Sequence, residues 1–233
     1  MEWLTENKIP VGKAAASVFD WLQVNGAFFF DALSDGLEAM IDAILWVLQT
    51  PNPFVIIFAF VALTYALQRS WKPALLTLLG FMFFLYQCYW EETTVSLTLV
   101  LSACVVCLGV GVPIGIAMAH RPRLYSWARP VLDLMQTLPT FVYLIPAIVF
   151  FGIGMVPGLI ATVIFVLPAP IRLTHLGVSS TPDPLLEAAQ AFGATPRQTL
   201  WKVELPYAFP QIMAGLNQTI MLSLSMVAVS YTH

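Results

Sequence analysis

The chain has 233 residues, 59% of them hydrophobic and 10% charged, with a mean hydropathy of +0.81 and a formal net charge of −3. A soluble domain is about 25% charged, so this composition belongs to an integral membrane protein. Its ten Lys and Arg residues are scattered and form no phosphate-reading patch, which excludes nucleic acid as a partner.

In chain order, the N-terminus places acidic residues ahead of any apolar run and lacks the pattern of a cleaved signal peptide. Between Asp31 and Leu48, acids at Asp31, Asp35, Glu38 and Asp42 alternate with Leu33, Leu37, Met40, Ile41, Ile44 and Leu48 at helical spacing. This predicts one amphipathic helix, lying either on the outer membrane surface or against other protein. A bilayer core takes roughly 20 residues of apolar helix. Five to six spans are expected, at Pro53–Gln68, Lys72–Trp90, Val95–Ala119, Val131–Phe151, Leu159–Leu173 and Pro210–Ser230, the first and fifth being short. Arg69 and Lys72 flank one connection, Arg121, Arg123 and Arg129 another, and Arg172, Arg197 and Lys202 a third, whereas Glu91 and Glu92 occupy an intervening one. Because cytoplasmic loops carry the basic excess, this alternation predicts an external N-terminus and a cytoplasmic segment Glu187–Pro206.

No signature of a hydrolase, zinc protease or P-loop is present: H-E-x-x-H, G-x-S-x-G and G-x-x-x-x-G-K-[ST] are all missing, and the chain is not expected to be an enzyme. Cys104 and Cys107 form a C-x-x-C inside an apolar run, where packing is the plainer reading and redox activity the sharper one. His120 and His175 read as interfacial histidines without a carboxylate partner. Asn217-Gln218-Thr219 matches a glycosylation pattern but opens a membrane span. Polar groups within spans either bond helices together or line a pathway; Gln136, Thr137, Tyr143, Asn217 and Gln218 are the pathway candidates, with Thr219, Ser223 and Ser225 beside them. Gly111-x-x-x-Gly115, with Pro113 inside it, is a signature of close helix packing.

The polar insert "EAAQAFGATPRQTLWKVELP" carries its own punctuation. Asp183-Pro184 predicts a helix start, Gly193 a left-handed stop, and Thr195-Pro196-Arg197-Gln198 a restart through a capping box. The product is a helix-turn-helix. With Arg197 and Lys202 as its only basic residues and membrane spans on both sides, it suits protein docking better than DNA reading.

Glu187-Ala188-Ala189, three residues, Gly193, nine residues, then Val203-Glu204-Leu205-Pro206 resembles the E-A-A-x3-G-x9-I-x-L-P loop of permease subunits in binding-protein-dependent ABC importers. The stretch "QTLPTFVYLIPAIVFFGIGMVPGLIATVIFVLPAPIRLTHLGV" resembles the glycine betaine, proline betaine and choline branch, and the two together cover roughly residues 95–229. Val203 stands for the usual isoleucine, Ala169 for a proline and His175 for an asparagine.

The resemblance implies an all-α polytopic membrane bundle of the ABC-importer permease (MetI-like) type with about six spans. It divides the chain into an N-terminal extracytoplasmic or interfacial segment (1–50), two accessory spans (51–92) and a permease domain (93–233) whose cytoplasmic coupling loop covers 180–209. It implies a bacterial plasma (inner) membrane location and three protein partners: a cytoplasmic ABC ATPase, an extracytoplasmic substrate-binding protein and a second permease copy. No cofactor is expected on this chain, ATP and Mg being held by the ATPase. By resemblance, Glu187 contacts the ATPase, Ala188 and Ala189 permit close approach, Gly193 bends the loop, and Leu205-Pro206 close it. The family pattern continues past Tyr231-Thr232-His233 into a further membrane helix, so the final helix is expected to be missing. An ATPase-independent secondary transporter or channel, and a non-transporting membrane scaffold, are the competing readings; the first lacks the mid-membrane ionisable group that ion coupling uses.

Overall fold

The computed structural model describes the backbone of residues 11–231 and the side chains of Trp21 and residues 25–227. Among these the chain is all-helical: α1 Val11–Gln49, α2 Pro53–Gln68, α3 Trp71–Tyr86, α4 Trp90–Ala119, α5 Pro122–Thr137, α6 Phe141–Phe151, α7 Met155–Val166, α8 Pro168–Ser179, α9 Asp183–Ala191, α10 Pro196–Thr199, a π-helical turn Leu200–Glu204, and α11 Leu205–Tyr231. The expectation of a missing final helix falls outside the described residues.

The amphipathic pattern of residues 31–48 sits within the much longer α1. Its apolar side packs on the chain's own core, where Ile41 joins Leu99, Val100, Ala103 and Leu159. Gln49 Nε2 donates to Thr94 Oγ1 at 2.9 Å, tying the end of α1 to the start of α4. Phe30 stacks on Phe150 with ring centroids 4.8 Å apart. The four acids remain exposed.

The α2–α3 hairpin packs on itself through Phe60 and Phe81, 5.3 Å apart, and Phe81 meets Trp90 of α4 at 6.4 Å. Its second helix ends in a Schellman motif: Tyr89 N donates to Phe84 O (3.0 Å) and Cys88 N to Leu85 O (3.2 Å). Cys88 therefore holds φ +59°, a conformation that glycine adopts without a Cβ penalty. Cys88→Gly is expected to raise the melting temperature of the detergent-solubilised protein, by up to the 1–2 kcal/mol or so that a left-handed non-glycine residue costs. An unchanged or lower melting temperature would count against strain at this turn.

The centre is a three-helix contact of α4, α8 and α11. Small residues allow it: a Cβ on Gly115 would lie 2.7 Å from the Ile171 carbonyl oxygen, and one on Gly111 3.0 Å from Pro170 Cγ. The G-x-x-x-G pair thus sets the α4–α8 approach, while Pro113 is carried within α4. Cys107 is fully buried and donates to Val163 O at 3.8 Å, and Cys104 is buried in the core beside Val100 and Leu159; among the described residues the cysteines are all free.

Among the described residues two helices are long and apolar enough to cross a membrane unaided, α4 and the α7–α8 pair, Met155–Ser179; counting each bent pair as one span gives up to four. The expected fifth span is therefore longer than Leu159–Leu173. The expected span Val131–Phe151 is broken rather than continuous: α5 and α6 pass as apolar enough only together, and they meet at 92°. Pro139 is the cause: it pushes Leu138 to an extended ψ of 141° and supplies no N–H for Met135 O. Tyr143 Oη donates to that orphaned carbonyl at 3.0 Å and closes the elbow. The 27 residues of α11 rise about 40 Å, enough to traverse a bilayer.

Candidate functional site

The module between α8 and α11 is built from local hydrogen bonds. Ser180 Oγ and Thr181 Oγ1 donate to Gly177 O (3.0 Å) and Val178 O (2.9 Å), closing α8. Pro182, rather than Asp183, caps α9, and Asp183 lies in the first turn, where a carboxylate favours the helix dipole. At the far end Ala194 N donates to Ala189 O (3.0 Å) and Gly193 N to Gln190 O (2.9 Å), a full Schellman motif with Gly193 at φ +74°. Thr195 N donates to Gln198 Oε1 (2.8 Å) and Gln198 N to Thr195 Oγ1 (3.4 Å), completing the expected capping box.

Leu205 and Pro206 mark the junction of the module with α11. They lie in the first turn of α11, which runs on from α10 through the π turn, with Leu205 N donating to Leu200 O. A proline ring collides with the carbonyl four residues earlier in a regular α-helix, and the widened π turn makes room for it. The module is therefore a stiff extension of a core helix.

Its outer face is unpartnered. Glu187, Ala188 and Gly193 are exposed and Ala189 is half-buried. Phe192 is 92% exposed and Trp201 70%, with Leu185 also outward. A short bracket showing a carboxylate, two alanines and three large apolar side chains is suited to seating in a protein groove.

The pathway candidates fall into two groups. Gln136, Thr137 and Tyr143 gather at the α5–α6 elbow, Thr137 Oγ1 donating to Leu134 O at 3.2 Å. Asn217 and Gln218 are exposed on α11, which packs on α4, α7 and α8. At about 100° per residue, α11 has three faces. Ala208, Ile212, Gly215, Thr219, Ser223 and Met226 are buried; Phe209, Met213, Ile220 and Leu224 are exposed and apolar; Tyr207, Gln211, Gln218 and Ser225 are exposed and polar. Asn217 falls at the edge of the exposed apolar face, beside Met221 and Leu224.

Three interactions were not legible beforehand. His120, read as lacking a carboxylate, places Nε2 3.0 Å from Glu204 Oε2. His175 stacks on Tyr125 with centroids 3.7 Å apart, and beside it Arg172 Nη2 donates to Asp133 Oδ1 at 2.6 Å, which fastens α8 to α5.

Residues 111–232 match the family described as binding-protein-dependent transport system inner membrane component. The chain belongs to this family. It is 42% identical to the glycine betaine transport system permease protein OpuAB of Bacillus subtilis over 96% of its own length and 79% of that protein's. It is 44% identical to the glycine betaine/carnitine transport permease protein GbuB of Listeria monocytogenes, covering 87% of this chain and 73% of the relative. For the glycine betaine/proline betaine permease ProW of Escherichia coli the identity is 41% over 95% of this chain and 62% of the relative. As a family member the chain is an inner-membrane transport permease with no catalytic role of its own, and its transport depends on a binding protein.

Proposed function

We propose that this permease imports a quaternary-amine osmoprotectant of the glycine betaine, proline betaine or choline class, powered by a separate ATPase that binds ATP and Mg. The observation that carries the reading is the capped, exposed module Asp183–Glu204, fused to α11 without a flexible joint. Glu187, Ala188, Ala189 and Gly193 form its docking face and bend, and Leu205 and Pro206 anchor it to α11. When ATP closes the ATPase, the module moves and takes α11 with it.

In this reading two copies pair, and residues 93–233 form the translocating domain with 51–92 accessory to it. The polar face of α11 supports the pairing: Gln211, Gln218 and Ser225 are costly against lipid and find use facing a partner or a watery path. The module faces the cytoplasm and Glu91 and Glu92 face outward, where the binding protein delivers substrate.

Reconstitution with the cognate ATPase and binding protein in liposomes is expected to give ATP-dependent accumulation of radiolabelled glycine betaine or choline. Accumulation driven by an ion gradient without the ATPase would establish the secondary-transporter reading instead.

A further inference from the structure

The foot of α4 carries a second contact to the root of the module. His120 caps α4, and its Nδ1 lies 3.0 Å from Ile116 O, a carbonyl that only accepts. Nδ1 therefore carries a hydrogen. Nε2 stands 3.0 Å from Glu204 Oε2, so the ring bridges the last turn of α4 and the Glu204 carboxylate. A cation at this position also suits the negative end of a 30-residue helix.

Glu204 is 8% exposed, the one charged side chain among the buried residues described. Its inner oxygen has no hydrogen-bond partner among the described residues, which leaves His120 as its counter-charge. A buried carboxylate without its cation is strongly penalised, so the two residues hold together. Val178, Ala208 and Ile212 form an apolar cluster with Ile116, Ala119 and Leu205 on the Glu204 side of the pair, while the His120 side chain stays half exposed.

Glu204 is also the last residue of the π turn, immediately before α11. The pair thus joins the end of one core helix to the hinge of the module that projects from another.

We propose that His120 and Glu204 are positioning residues: their ion pair latches α4 to the module's root, so that displacement of the module moves α4 and α11 as one body. Without the latch, displacement of the module is carried into α11 alone and leaves α4 behind. The inference rests on the coupling role proposed above for Asp183–Glu204.

The test uses the complex with its cognate ATPase and binding protein in liposomes, and reads substrate accumulated per ATP hydrolysed alongside ATPase co-purification. His120→Gln and Glu204→Gln remove one charge each while keeping polar shape; both are expected to retain the ATPase and to lower the uptake-to-hydrolysis ratio on the order of 5-fold or more. His120→Lys keeps the cation and is expected to restore the ratio towards the parent value. A parent-like ratio in His120→Gln, or a ratio in His120→Lys as low as in His120→Gln, would overturn the latch. Should Glu204→Gln fail to fold, His120→Gln decides, since its side chain is 48% exposed. Glu187→Lys runs in parallel: if it leaves both ATPase association and uptake intact the coupling reading fails, whereas if it is impaired and His120→Gln is not, only the latch fails.

Discussion

Gly193→Val is expected to abolish ATP-driven uptake while leaving the membrane bundle folded. Gly193 sits at φ +74° with nothing within 4 Å of the position a Cβ would take, so the substitution meets no neighbour and acts through the backbone alone. A β-branched residue held there costs about 1–3 kcal/mol, comparable to what so short a helix gains from its caps. The turn relaxes toward negative φ, both Schellman bonds are lost, and α9 swings away from α10. Glu187→Lys leaves this geometry intact and reverses the charge on the docking face, so it should reach the same transport defect through weaker ATPase binding. Both variants are read by co-purification of the ATPase and by uptake, with circular dichroism reporting the fold. Uptake at the parental rate in both would remove the coupling role from this module.

Gly115→Ala is expected to be the most destabilising single-methyl change in the bundle. Its Cβ would stand 2.7 Å from the Ile171 carbonyl oxygen and 2.7 Å from Thr174 Cβ, and a helix backbone cannot step aside as a flexible side chain can. Separation of α4 from α8 forfeits packing along their whole contact, at a cost of about 1–3 kcal/mol or more. Gly109 lies on the same helix, exposed and with nothing within 4 Å. Gly109→Ala is therefore expected to be neutral or stabilising by roughly 0.5–1 kcal/mol, through the lower entropy of alanine in the unfolded chain. Thermal unfolding in detergent, followed by size-exclusion profile, compares the two. Equal melting temperatures would mean that close approach at Gly115 contributes little to the fold.

Read residue by residue, the sequence by itself determined whatever depends on neighbours within a few positions. Membrane residence followed from composition, and the extent of α2, Pro53–Gln68, from its apolar run. The Gly193 turn and the Thr195–Gln198 box followed because both close hydrogen-bonded rings of a few residues. The 92° elbow was within reach: Pro139 announces it, yet the apolar run on either side reads as one span, since hydropathy carries no direction. Only the tertiary structure decided which helices meet. It brought His120 to Glu204 and Asp133 to Arg172, sent the apolar stripe of α1 into the chain's own core, and divided the surface of α11 into a lipid-like face and a polar one. In a chain apolar on nearly every side, helical periodicity cannot say which face is buried against protein and which against lipid, because both environments accept the same residues. That choice falls to close packing at Gly111, Gly115 and Gly177, and to the few charges that must find a counter-charge.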